Sequence, residues 1–168
     1  DFAVGSSSAG RGPVELENVA GMFINMLPLR ARLAGDPSFA DVLDRTRRHV
    51  LDAFDHADVP FERLVNALGV PRDTSRSPVF QAMFVLQNYE LGRMSTAGSS
   101  DLAMRWVPME LPATRFDIEL HVVEVPRGLL CKFVYNTALF DAATIDRMAR
   151  RFETLLAGIV TAPEQPVS

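Results

Sequence analysis

One cysteine, Cys131, and one lysine, Lys132, are all that the 168 residues contain of either type. A lone cysteine forms no internal disulfide and no Cys-rich zinc site, so a reducing, cytoplasmic setting is expected. The glycine-rich stretch Gly5-Ser-Ser-Ser-Ala-Gly-Arg-Gly12 lacks the lysine with which a GxxxxGK[ST] loop reaches phosphates, and reads instead as a flexible loop. Positive charge is also short. With 17 Lys+Arg against 21 Asp+Glu, the net charge of -4 lacks the basic excess of a nucleic-acid binder. No apolar run approaches the ~20 residues that cross a bilayer, and no charged and apolar leader marks secretion. HExxH, paired-cysteine and GxSxG patterns are absent, so no metal ligand set or serine-hydrolase elbow is found.

What is present fits a globular domain. Hydrophobic residues make up 48% and charged residues 23%, enough to build one core. Asp1-Phe-Ala-Val4 reads as a strand with no lead-in, and 161–168 reads as the start of a linker. The chain is therefore expected to be a piece of a longer polypeptide, residues 1–160 forming one unit.

The spacing predicts a short helix over 15–23 and a strand over 24–33, where Leu27, Leu29, Ala31 and Leu33 alternate with polar residues or proline. Pro28 cannot donate to a ladder and predicts an edge, a bulge or a strand beginning. A helix opens at Asp36-Pro37, with Phe39, Val42, Leu43, Thr46, Val50, Ala53 and Phe54 on its core stripe. A second helix, 60–68, buries Phe61, Leu64, Val65 and Leu68 and stops at Gly69. Val79 to Asn88 is apolar on both alternating faces, which predicts a strand covered on both sides and an α/β arrangement. Strands are also expected over 102–109, 115–125 and 129–137. Asp141 caps a last helix over 142–160, with Ile145, Met148, Phe152, Leu155, Leu156 and Ile159 inward.

Few residues offer chemistry. His49 belongs on a solvated helix face. His121 and Glu124 are three apart in a strand, which sends them to opposite faces. Cys131 reads as a small core or strand residue. His56 and Asp58 admit two readings, an oriented base or a helix end whose histidine bonds the last carbonyls. Arg72, Asp73 and Arg76 could hold a phosphate or staple their own loop. Gln87 and Asn88 break a buried apolar strand at its far end, where amides must find partners. A ligand there is a reasonable candidate.

Several segments, in order, resemble the C-terminal half of condensation domains of nonribosomal peptide synthetases. Gly21-Met-Phe-Ile-Asn-Met-Leu-Pro-Leu-Arg30 resembles GxFVNTLPLR, and His56-Ala-Asp-Val-Pro-Phe-Glu62 resembles HQDVPFE. Arg72-Asp-Thr-Ser-Arg-Ser-Pro-Val-Phe-Gln81 resembles RDxSRNPLFQ, Arg115-Phe-Asp117 a KFD-type strand start, and Tyr135-Asn-Thr-Ala-Leu-Phe-Asp141 resembles YNTxLFD. Met26, Ala57 and Ser77 depart from the usual threonine, glutamine and asparagine, and the family's HHxxxDG is absent. Epimerisation domains are expected to carry other patterns at HADVPFE and RDTSRSPVFQ, and heterocyclisation domains a DHQ-like end where Leu86-Gln87-Asn88 stands.

The resemblance implies a mixed sheet with flanking helices, one lobe of a chloramphenicol-acetyltransferase-like fold whose N-terminal lobe is missing. It implies amide formation between thioesters carried on phosphopantetheine arms, with no cofactor held directly. The implied partners are the missing lobe, upstream and downstream carrier proteins and a neighbouring adenylation domain. Gln87 and Asn88 are the candidates for the substrate tunnel. Asn25, His56, Asp58, Glu62, Arg72, Asp73 and Arg76 are family-motif residues expected to be structural. The segments 5–12 and 91–112 look like parts that cross to the other lobe. With no catalytic group of its own, the chain is expected to be inactive alone, and its bared surface is expected to drive dimerisation. An alternative is a noncatalytic module that holds an acidic carrier protein on the arginines of 45–48 and 147–151.

Overall fold

The computed structural model describes residues 1–12, 14–71, 73–87, 113–125 and 127–167. A five-stranded mixed sheet forms its centre, with strand order β2-β1-β3-β4-β5. β1 (Phe2–Ser8) pairs antiparallel with β2 (Asn25–Ala31) and parallel with β3 (Ala82–Gln87). β3 pairs parallel with β4 (Ile118–Val125), which pairs antiparallel with β5 (Gly128–Tyr135). Among the described residues three helices flank the sheet: α1 (Phe39–Asp55), α2 (Phe61–Leu68) and α3 (Ala142–Thr161).

The expected loop at 5–12 is strand as far as Ser8. Gly5 sits under the ring of Phe80, where an added Cβ would overlap Phe80 Cε2. Absence of a side chain, rather than flexibility, is what this position requires. The expected helix over 15–23 shrinks to one 3-10 turn, Val14–Leu16. Here Arg11 takes over, donating to the carbonyls of Leu16, Val19 and Gly21 and lying 4.6 Å from the Phe23 ring centroid. Pro28 lies on edge strand β2, where a missing donor costs no internal ladder bond.

α1 begins two residues later than Asp36-Pro37 implies. Ser38 is the N-cap, its hydroxyl accepting from Asp41 N while the Asp41 carboxylate accepts from Ser38 N. Asp36 instead turns the chain with φ 48°. The apolar stripe is less covered than its periodicity implies: Leu43 and Phe54 are 57% and 52% exposed. Leu68 in α2, Met148 and Leu155 in α3, and Cys131 in β5 are likewise not core residues. α2 does stop at Gly69, which adopts the left-handed φ of 61°.

One side of β3 is covered more fully than the other. Phe80, Met83 and Phe116 are buried together, with Phe61 of α2 and Ala3, Met26 and Val85 packed against them. Phe80 stacks on Phe116 with centroids 5.3 Å apart and tilts against Phe61 at 5.4 Å. On the opposite face Phe84 and Leu86 stay 38% and 54% exposed. The expected double cover is therefore incomplete, because α3 reaches that face at the β5 end, through Phe133 against Phe152. The strand expected over 102–109 and the segment 91–112 lie outside the described residues.

Candidate functional site

The motif residues are tied into the scaffold by backbone hydrogen bonds. Asn25, at the start of β2, donates through Nδ2 to the carbonyls of Ala57 and Val59, and its Oδ1 accepts from Phe61 N. It closes the turn between α1 and α2 and supplies an acceptor to the first turn of α2, which has no side-chain N-cap of its own. His56 is the C-cap of α1; its Nδ1 lies 2.9 Å from the Asp52 carbonyl, an acceptor, so Nδ1 carries the hydrogen. Asp58 and Glu62 are exposed nearby.

Asp73 accepts from the Ser75 hydroxyl and backbone N–H and from Arg76 Nε at 3.1 Å. The Ser75 hydroxyl, helped by that N–H and by the Arg76 charge, holds the Asp73 carboxyl below its ordinary range. Arg72 lies outside the described residues. This loop borders two open grooves of about 460 and 330 Å³. Phe61, Val65, Val70 and Pro78 wall the larger, with Glu62 and Asp73 at its rim.

Gln87 ends β3 at the C-terminal edge of the parallel pair, the side of an open α/β sheet on which ligands bind. Asn88 lies outside the described residues. In the β3–β4 register Val85 is opposite His121 and Gln87 opposite Val123. Alternation then places Gln87, His121 and Glu119 on one face, and the β4–β5 register adds Lys132 opposite His121. His121 Nε2 lies 2.9 Å from Glu119 Oε2, and Thr114 Oγ1 lies 2.6 Å from Glu119 Oε1. The pair is largely enclosed, with the Glu119 side chain 13% and that of His121 29% exposed.

The carboxylate partner of His121 is thus two residues before it, not three after. The i, i+2 spacing of Glu119-Leu-His121 is the signal that finds it, since same-face strand neighbours recur with period two. Among the described residues, no group of three or more His, Cys, Asp or Glu side chains could hold a metal ion.

Over residues 1–168 the chain matches the family model described as Condensation domain. It belongs to the condensation-domain family. The chain is 43% identical over 164 residues to a plipastatin synthase of Bacillus subtilis (strain 168), an alignment that covers 98% of this chain and 4% of that protein. It is 44% identical over 168 residues to a linear gramicidin synthase of Brevibacillus parabrevis, covering 100% of this chain and 2% of that protein. It thus spans a small part of these relatives' length.

Among solved structures, the X-domain from teicoplanin biosynthesis superposes with a TM-score of 0.87 at 28% identity, covering 99% of this chain and 38% of that one. The condensation domain of the Monacolin K polyketide synthase MokA shares the fold, with a TM-score of 0.84 at 22% identity and 38% of that chain covered. The mixed sheet with flanking helices is accordingly the condensation-domain fold that the sequence motifs imply. No helix among the described residues is long and apolar enough to cross a membrane.

Proposed function

We propose that this chain is the C-terminal lobe of a condensation domain that joins two carrier-bound thioesters by an amide bond. In this reading residues 1–160 form the lobe, and 161–168, which fold back onto the start of α1, lead on to the next domain. The observation that carries it is proportion. A family match along the whole chain accounts for only 38% of a solved domain of the same fold, which leaves room for a second lobe. That lobe would supply HHxxxDG.

Upstream and downstream carrier proteins would present donor and acceptor on phosphopantetheine arms, and an adenylation domain would load them. The amine nitrogen attacks the donor thioester carbon, the C–S bond breaks, and an amide and a free thiol result. Gln87 and Asn88 line the tunnel in this proposal. Asn25, His56, Asp58, Glu62, Arg72, Asp73 and Arg76 hold the scaffold.

The test mixes loaded carrier proteins with this chain alone and with the chain restored to its parent domain. Product is expected only with the restored domain, and product from the chain alone overturns the proposal. Within the restored domain, alanine at both Gln87 and Asn88 is expected to slow turnover; unchanged turnover removes them from the tunnel.

A noncatalytic module is the second reading. It is favoured by similarity at 26% identity and a TM-score of 0.82 to an X-domain whose solved structure is a complex with OxyB. Binding of carrier protein by the restored domain without any product would select it.

A further inference from the structure

β1 and β2 are antiparallel neighbours whose register closes with Ser8 opposite Asn25. A turn of about two to five residues joins such a pair, yet the chain runs through residues 9–24 between them. Among the described residues of that span the one regular element is the 3-10 turn Val14–Leu16. A connection this long with so little structure of its own is ordinarily either disordered or functional. This one is built. Arg11 donates to the carbonyls of Leu16, Val19 and Gly21, and its guanidinium lies over the Phe23 ring. Gly10 approaches so closely that an added Cβ would overlap the Phe23 carbonyl oxygen. Among the described residues Arg11 makes no salt bridge. Its planar fork of donors is therefore devoted to shaping backbone.

The shape so held is unfavourable for the lobe by itself. Met22 is turned almost wholly to solvent, with Val14 and Ile24 more than half exposed. A slack loop could fold such side chains inward; a clamped one keeps them out, where any contact that removes them from water is favoured.

We propose that Arg11 shapes the β1–β2 connection to receive the second lobe of the domain, with Val14, Met22 and Ile24 entering the contact between lobes. The inference rests on the two-lobe reading above and deepens it. Size names the occupant: this chain superposes over 99% of its length on 38% of a solved domain of the same fold, so the larger part of such a domain has to lie against this lobe. Direction agrees. β1 runs parallel to β3, so the connection leaves the sheet at the same end as Gln87, the end proposed above for the tunnel.

The experiment is maleimide labelling of Met22→Cys in the complete parent domain, produced without its neighbouring domains. Mass spectrometry reads the site, and the urea-unfolded domain gives the intrinsic rate. The folded domain is expected to label about tenfold or more slowly, because a buried apolar position must first open. Adding Arg11→Ala is expected to return most of that rate, since losing even one hydrogen bond to a charged group is worth about tenfold. The unfolding midpoint should change little, because none of the partners of Arg11 belongs to the Phe80 core. Arg11→Lys keeps the charge without the fork and is expected to fall between the two; it carries the comparison if the alanine variant does not fold. Labelling of Met22→Cys at the unfolded rate in the folded domain overturns the inference. So does protection that arises only when the next domain is attached, or protection that both Arg11 variants leave intact. A parent that shields position 22 but forms no amide overturns the condensation reading and supports this inference. An active parent that leaves position 22 open overturns this inference alone.

Discussion

The ring of Phe80 occupies the volume that a Cβ on Gly5 would fill, and Phe80 is 1% exposed. Gly5→Ala is expected to overpack this contact and destabilise the fold by about 1–3 kcal/mol. Phe80→Ala is expected to cost about 3–5 kcal/mol. Adding Phe80→Leu to Gly5→Ala should recover part of the alanine penalty, a coupling that a double-mutant cycle in urea would measure. A second prediction concerns Asp73. Its carboxyl is held below the ordinary range in the folded state, chiefly by the Ser75 hydroxyl. The contribution to loop order is present above the unfolded value near 3.9 and is lost as pH falls through the lower folded value. Ser75→Ala should raise the Asp73 titration midpoint toward the ordinary value, as read from carboxyl chemical shifts. Single-residue roles were legible where partners are local and of a familiar kind, as with Asp141 capping α3 at Thr144 N, whereas Glu119, two positions before His121, was passed over. Asn25 was not, because its carbonyl partners lie 32 and 34 residues away and no pattern within β2 points to them.

For whole elements, hydrophobic period located α1, α2, α3 and the four strands β2–β5 closely, but not what covers them. An apolar stripe states that a helix wants a neighbour and carries no record of whether one is there. Leu43 and Phe54 on α1 and Leu155 on α3 remain about half exposed. Caps were legible in kind and misplaced by two residues at α1, since Asp36 and Ser38 are both good N-caps and only the turn geometry chooses between them. Ser38→Ala is expected to lower stability by about 1 kcal/mol, seen as a reduced denaturation midpoint with unchanged slope. At β3 the chain enters through Val79, whose φ of 70° is strained for a β-branched residue. Phe80 N donates to the Pro78 carbonyl across this turn at 2.8 Å. The turn drops Phe80 onto Gly5, an outcome that strand propensity alone does not foresee.

Across the molecule, sheet order was the least legible feature. Parallel neighbours β1, β3 and β4 are joined by long connections, and alternation within each strand is the same whichever neighbour it takes. The face given to each side chain follows only once the register is known. Large apolar side chains left in solvent include Met22 at 91%, Val14 at 73% and Ile24 at 64% exposed, all on the connection from β1 to β2. Apolar side chains left in solvent favour association. The isolated chain is expected to dimerise or self-associate at high concentration, and a clean monomer by light scattering would refute this. Restoring the parent domain should suppress the association if the second lobe covers the same residues.

The end of the chain bears on where modules of this kind can be cut. Past α3 the backbone folds back. Phe39 N donates to the Gln165 carbonyl, Ala40 N to that of Pro163, and Val167 N to that of Pro37. Two of the amides that open α1 thus find their acceptors in the last residues of the sequence. A junction placed at Thr161, where the helix stops, would strip those acceptors from a helix more than a hundred residues earlier. A junction after Val167 would leave them in place, so a boundary for module exchange is better drawn by hydrogen bonds than by the end of the final helix.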